Sequence, residues 1–304
     1  MSLLHRLLSS RLRALVALAL AALSPLLASA QSGSNPLLYE VRSPTNTVYL
    51  FGTIHVGARA LYPLSAQVED SFARAQVLAL EADPTETAGA TAAMALGMYT
   101  PPETLADHIS AELYAQVQAV LPQVGLPIEF ARGMKPYLLA MTIAMLEIQR
   151  LGYDPSLGLD AHFARRARAQ SKPIVQLESM EQQMVLFEGL PPATQEGLLR
   201  MAVRGVADGE LAVEVSELMA AWKAGDVSGI QRSVTRELED LPPPAAEALR
   251  ERLYDRRNHD MTAKVIGILA GSEPHFVAVG AGHLIGPTGL PELLRKRGYD
   301  VRRL

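Results

Sequence analysis

The chain has 304 residues, room for one large domain or two ordinary ones, and its apolar fraction of 49% can fill a core, which excludes a disordered or collagen-like polymer. With 28 basic and 32 acidic residues the net charge is −4, so nothing indicates a nucleic-acid partner. Cysteine is absent, which removes disulfides, thiolate metal sites and a cysteine nucleophile together.

Arg6, Arg11 and Arg13 precede an apolar run from Ala14 to Leu23, Ser24 and Pro25 break it, and Ala28-Ser29-Ala30 supplies a small-x-small cleavage pattern. The run falls short of the roughly 20 residues a bilayer span needs. Residues 1–30 therefore read as a signal peptide cleaved after Ala30, with a retained anchor as the alternative. Residues 31–304 then read as a single exported domain, periplasmic or secreted, with no stable membrane insertion after signal cleavage.

Leu37–Val41 and Thr47–Thr53 flank the turn Ser43-Pro44-Thr45-Asn46 and predict a β-hairpin. A helix is expected over Ser65–Ala75, with serine as N-cap, and Val77–Leu80 reads as a strand buried on both faces. The Ala/Met/Thr/Gly-rich segment Pro84–Thr100 reads as a flexible loop or lid. A second serine-capped helix is expected over Ser110–Val120. Tyr137–Leu146, bounded by Lys135, Glu147 and Arg150, is a core helix about half the length of a span. Pro173–Leu177 resembles the Val77–Leu80 strand, and Ser179-Met180-Glu181-Gln182 is a capping box that starts a helix directly after it. Helices are expected near Thr194–Val206, Glu210–Ala224 and Ala245–Ala270, the last after Pro242-Pro243-Pro244. Strands at Phe276–Val279 and Tyr299–Arg302 close the chain. The sum is an α/β fold: a mixed central β-sheet opening with an antiparallel hairpin, flanked by helices, with a helical cap layer over about residues 179–270.

Ionisable residues recur at one kind of place. Val48–Phe51 leads into Gly52-Thr53-Ile54-His55, and Phe276–Val279 leads into Gly280-Ala281-Gly282-His283, each an apolar strand followed by G-x-x-H. Val77–Leu80 ends in Glu81, and Ile174–Leu177 ends in Glu178. In open α/β sheets the carboxyl edge of the strands is where ligands bind. Two imidazoles and a carboxylate form a three-ligand set with an open position, the arrangement that lets a divalent metal activate water. His55, Glu81 and His283 are therefore the candidate metal ligands. His108, His162, His259 and His275 lack such a context and read as surface residues. Asp160 reads as a helix cap and Trp222 as core. Arg257-Asn258 reads as a charged helix face, with oxyanion binding as the alternative. There is no G-x-S-x-G, no H-E-x-x-H, and Gly280-Ala281-Gly282 lacks the third glycine of a dinucleotide loop.

Several further segments join these two units: Leu80-Glu81-Ala82-Asp83, Lys135-Pro136, Gly158-Leu159-Asp160, Leu177–Gln183, Trp222–Asp226 and Arg257-Asn258. In this order the set resembles the TraB/GumN family, itself similar to the Tiki metalloproteases and more remotely to the ChaN and erythromycin-esterase-like group. The resemblance implies a metal-dependent hydrolase, most simply a peptidase, using a divalent metal, manganese or cobalt before zinc. It implies His55, Glu81 and His283 as metal ligands or catalytic bases. It also implies Glu178 and Arg257 as supporting residues of the site, and Asn258 as the residue that orients a bound carbonyl. In the hydrolase reading these three are the catalytic residues, with Glu178 shuttling the proton to the leaving group and Arg257 stabilising the tetrahedral oxyanion. Two alternatives stand beside it: a protein that binds a peptide or small molecule without turnover, and an esterase-like hydrolase.

Overall fold

In the computed structural model, which describes residues 36–239 and 241–304, β1 (Leu38–Arg42) and β2 (Thr47–Thr53) form the expected antiparallel hairpin, with Leu38 opposite Phe51 and Arg42 opposite Thr47. The turn satisfies its own backbone: Asn46 N donates to Ser43 Oγ at 2.9 Å and Thr47 N to Asn46 Oδ1 at 2.8 Å. The residues read as a signal peptide lie outside the described residues. β3 (Val77–Leu80), β4 (Ile174–Gln176), β5 (His275–Gly280) and β6 (Asp300–Arg303) complete a six-stranded sheet in the order β4-β3-β5-β2-β1-β6. β1 pairs antiparallel with both β2 and β6, whereas β2, β5, β3 and β4 run parallel. All four parallel strands thus deliver their carboxyl ends to one edge of the sheet.

The central strands are dry on both faces, as their continuous apolar runs require: Leu50, Phe51, Leu78, Leu80, Phe276 and Val277 are fully buried. Phe51, Phe72, Phe163 and Phe276 form an aromatic cluster across the sheet, with ring centroids 5.7 Å apart for Phe51–Phe276 and 4.8 Å for Phe163–Phe276. β4 departs from expectation. It is shorter than Pro173–Leu177 and is not buried on both faces; Val175 is 41% exposed. It is the outermost strand and has β3 on one side only.

The α-helices of seven or more residues are α1 (Ala66–Arg74), α2 (Thr87–Leu96), α3 (Ala111–Val120), α4 (Pro136–Arg150), α5 (Leu159–Ala169), α6 (Met180–Glu188), α7 (Pro192–Ala207), α8 (Glu210–Ala224), α9 (Val227–Glu239), α10 (Pro243–Arg250), α11 (Arg256–Leu269) and α12 (Leu290–Lys296). α2 occupies the segment read as a loop or lid. Alanine is the strongest helix former, and Ala93 buries itself against Tyr137, Leu138 and Met184. Gly97 ends this helix close to α4; a Cβ there would stand 2.6 Å from Leu138 Cδ2. The capping box forms as written, with Gln182 N donating to Ser179 Oγ at 3.0 Å and Ser179 N to Gln182 Oε1 at 2.8 Å. Ser110 also caps its helix, whereas Ser65 stands at the N-cap position without a side-chain bond. The stretch expected as one helix over Ala245–Ala270 is interrupted by a π turn at Glu251–Asp255, between α10 and α11. Among the described residues no helix is long and apolar enough to cross a membrane.

Candidate functional site

The parallel ladder runs one residue past β3 and two past β4. Glu81 N donates to Ala278 O at 3.0 Å and Glu178 N to Glu81 O at 2.7 Å, so the two glutamates stand side by side beyond β3 and β4. Thr53 is in register with Gly280 at the ends of β2 and β5. From there each chain turns through its G-x-x-H segment. A Cβ at Gly280 would stand 3.4 Å from Glu81 Oε2, 3.6 Å from His283 Cδ2 and 3.6 Å from His55 Nε2. The three side chains singled out in the sequence therefore border one small space beside Gly280.

Each imidazole is held by its other nitrogen. His55 Nδ1 lies 2.9 Å from Asp160 Oδ2, and Asp160 Oδ1 accepts from Thr53 Oγ1 at 2.7 Å. His283 Nδ1 lies 2.6 Å from Asn258 Oδ1. A carboxylate and an amide oxygen only accept, so both rings carry their hydrogen on Nδ1 and present an Nε2 lone pair when neutral. His283 Nε2 is 3.6 Å from Glu81 Oε2.

The electrostatics of the two rings differ. Asp160 pushes His55 up to about 9. Burial pushes His283 down to about 4, against the pull of Glu81. Glu81 is held down at about 2: burial acts to raise it, but His283 and Arg257 together prevail. Its Oε1 accepts from Arg257 Nη2 and, at 2.8 Å, from Gln183 Nε2, while Oε2 accepts from Gly280 N at 2.9 Å. Glu178 takes Arg257 Nε at 3.0 Å on each oxygen and Nη2 at 2.8 Å. Arg257 thus clamps both glutamates, in the planar geometry a guanidinium favours.

The π turn aims these groups. An extra backbone residue in one turn rotates the next stretch of helix, a device frequent at functional sites. Tyr254 on the turn lies against His283, ring centroids 5.5 Å apart, and the next turn sends Arg257 to the glutamates and Asn258 to His283. Asn258 is fully buried, with its carbonyl oxygen on the ring rather than in the cavity.

Sequence reasoning missed Asp160, Gln183 and Tyr254. Asp160 stands in the first turn of α5, but it accepts from Thr53 and His55 instead of capping. The available signal was Gly158: a Cβ there would collide with the His55 carbonyl, and Leu159 N donates to Ile54 O at 3.1 Å. This close approach lays α5 against the first G-x-x-H turn. Trp222 is core as expected and also donates from Nε1 to Gly52 O at 2.8 Å, tying α8 to the strand that carries His55. His162 is not a surface residue; it is half-buried and lies against Tyr62, ring centroids 4.4 Å apart and tilted by 31°.

A cavity of about 860 Å³ opens over this cluster and continues between α4, α7, α8 and α9. Among the described residues no group of three or more histidine and acidic side chains is arranged to hold a metal ion. The chemistry of the donors suits one nonetheless. Histidine ligands ordinarily give their second nitrogen to a carboxylate or carbonyl, as both rings do here, and the space at Gly280 borders all three groups.

Comparison with known proteins adds an independent line. The model of the TraB/PrgY/gumN family matches residues 37–303. The protein YbaP of Escherichia coli K12 is 26% identical over 247 residues, covering 81% of this chain and 87% of its own length. Metalloprotease TIKI1 of Danio rerio is 24% identical over 316 residues, covering 89% of this chain and 63% of the relative. The human metalloprotease TIKI1 is 23% identical over 319 residues, covering 89% and 62%. The chain therefore spans less than two thirds of these Tiki proteins. No solved structure matches.

Proposed function

This chain belongs to the TraB/PrgY/gumN family, and on that footing we propose that it is an exported, divalent-metal-dependent hydrolase of amide bonds, acting as a peptidase. The observation that carries the reading is the meeting of His55 Nε2, Glu81 Oε2 and His283 around Gly280, supported by the metalloprotease names of distant relatives. His55, Glu81 and His283 would hold the ion, manganese or cobalt before zinc, and the bound ion would supply a water of lowered pKa.

The chain's own residues do the rest. Asp160 and Asn258 fix the two rings with Nδ1–H turned away from the site. Arg257 holds Glu81 and Glu178 side by side through ion pairs to both. Glu178 moves the proton to the leaving nitrogen, and Arg257 steadies the negative charge that develops on the carbonyl oxygen.

The test is metal analysis of the purified protein, followed by a peptide screen with added manganese or cobalt. Cleavage that needs the metal and disappears in His55→Ala is the expected result. Undiminished cleavage in that variant overturns the mechanism, and peptide binding without any turnover assigns the site to a binding protein.

A further inference from the structure

The cavity beyond the cluster has a definite shape and chemistry. On α4 it is lined by Tyr137, Met141 and Ala144, and on α7 by Leu198, Ala202 and Gly205. Each set follows helical spacing over seven residues, so each wall is a single stripe about 10 Å long at 1.5 Å per residue. α4 and α7 pack along one another, which joins the stripes into one channel wall. Ile230, Val234 and Leu253 add further hydrocarbon. Charged side chains in the lining are concentrated in the site cluster and in Arg204, Glu210, Glu214 and Arg236.

Such walls treat two kinds of apolar guest differently. The backbone N–H and C=O groups of helix interiors are already paired within the helix. A peptide backbone threaded along them would give up its water and meet few partners, a desolvation penalty for every amide left unpaired. An unbranched hydrocarbon chain has no such groups to satisfy. Met141, and Met201 on the same face of α7, supply flexible thioethers that shape themselves to a slender guest.

We infer that the substrate is an N-acyl amide whose unbranched acyl chain lies in the channel along the wall formed by α4 and α7, with the acyl carbon at the His55–Glu81–His283 cluster. This rests on the amide-hydrolase part of the proposed function and replaces the peptide on the acyl side of the scissile bond with a fatty acyl chain. In the reaction the acyl carbon–nitrogen bond breaks. The hydroxyl of water goes to the acyl carbon and its proton to the leaving nitrogen, giving a fatty carboxylate and an amine.

The carboxylate product is itself a probe that requires no turnover. Calorimetric titration with sodium decanoate and with sodium acetate measures chain binding directly. Ala144→Phe and Ala202→Phe each fill the channel without touching the cluster, and a thermal melt checks that both fold. Decanoate should bind at least tenfold tighter than acetate, and both variants should lose that advantage. An N-decanoyl dipeptide amide should show at least tenfold lower KM than its N-acetyl counterpart. Decanoate binding no tighter than acetate, or equally tight in both folded variants, overturns the inference. A leucine-rich tetrapeptide outbinding decanoate also overturns it. Decanoate binding as expected with no amide cleaved upholds the channel and counts against the hydrolase reading instead.

Discussion

The two G-x-x-H turns leave neighbouring parallel strands, in register, and bring their rings to the same glycine, yet they are built for different charge states. His55 is 64% exposed on the cavity side and leans on a buried carboxylate, Asp160, that is 5% exposed. His283 is buried and leans on a neutral amide, Asn258. One ring is pushed up to about 9 and the other down to about 4. The motif positions an imidazole at a strand end; the partner on Nδ1 and access to water decide whether it carries a proton.

The most disruptive way to break this pair is to remove the carboxylate between the rings. Glu81→Gln should lower hydrolysis by ~10²–10⁴-fold. It also leaves the 13% exposed Arg257 with one counter-charge fewer, which should destabilise the fold by about 3 kcal/mol in urea denaturation.

Converting one turn toward the other is the next test. His283 has a folded pKa below its unfolded value, so between about 4 and 6.5 the unfolded chain binds more protons. Stability is therefore present above 6.5 and lost as pH falls toward 4, by about 3 kcal/mol in metal-free protein. Asn258→Asp, which gives His283 a charged partner, should flatten that acid limb in urea melts taken from pH 4 to 7.

The reverse exchange acts at His55. Asp160→Asn should weaken metal binding by ~10–100-fold, read by titration against a chelator. The sign of its stability effect is opposite to that of His283. The His55–Asp160 pair stabilises fully below 6.5 and fades as pH rises through about 9. Because that ring is largely exposed, the alkaline change should stay within ~1 kcal/mol. The smallest effect is expected from Trp222→Phe, which removes the bond to Gly52 O and should cost about 1 kcal/mol in a thermal melt.

Much of the frame is legible in local pattern. Central strands announce themselves as short apolar runs because they are dry on both faces, and the Ser179–Gln182 box and the hairpin turn close their bonds within four residues. What local pattern does not carry is who meets whom. Asp160 lies 105 residues from His55 and has the look of a cap because it does open a helix. Val175 has the composition of a buried strand but sits where the sheet ends. α2 resembles a loop in sequence because its small residues show no clear amphipathic face, and its packing against α4 is tertiary. The π turn has no sequence mark at all, although Tyr254, Arg257 and Asn258 take their aim from it.

Trp222 is the chain's single tryptophan, and its indole N–H ends on the carbonyl two residues before Ile54. Intrinsic fluorescence excited in the indole band therefore reports from one place, the seam between helical layer and sheet edge. A red shift on adding a ligand would register water entering that seam, without any label.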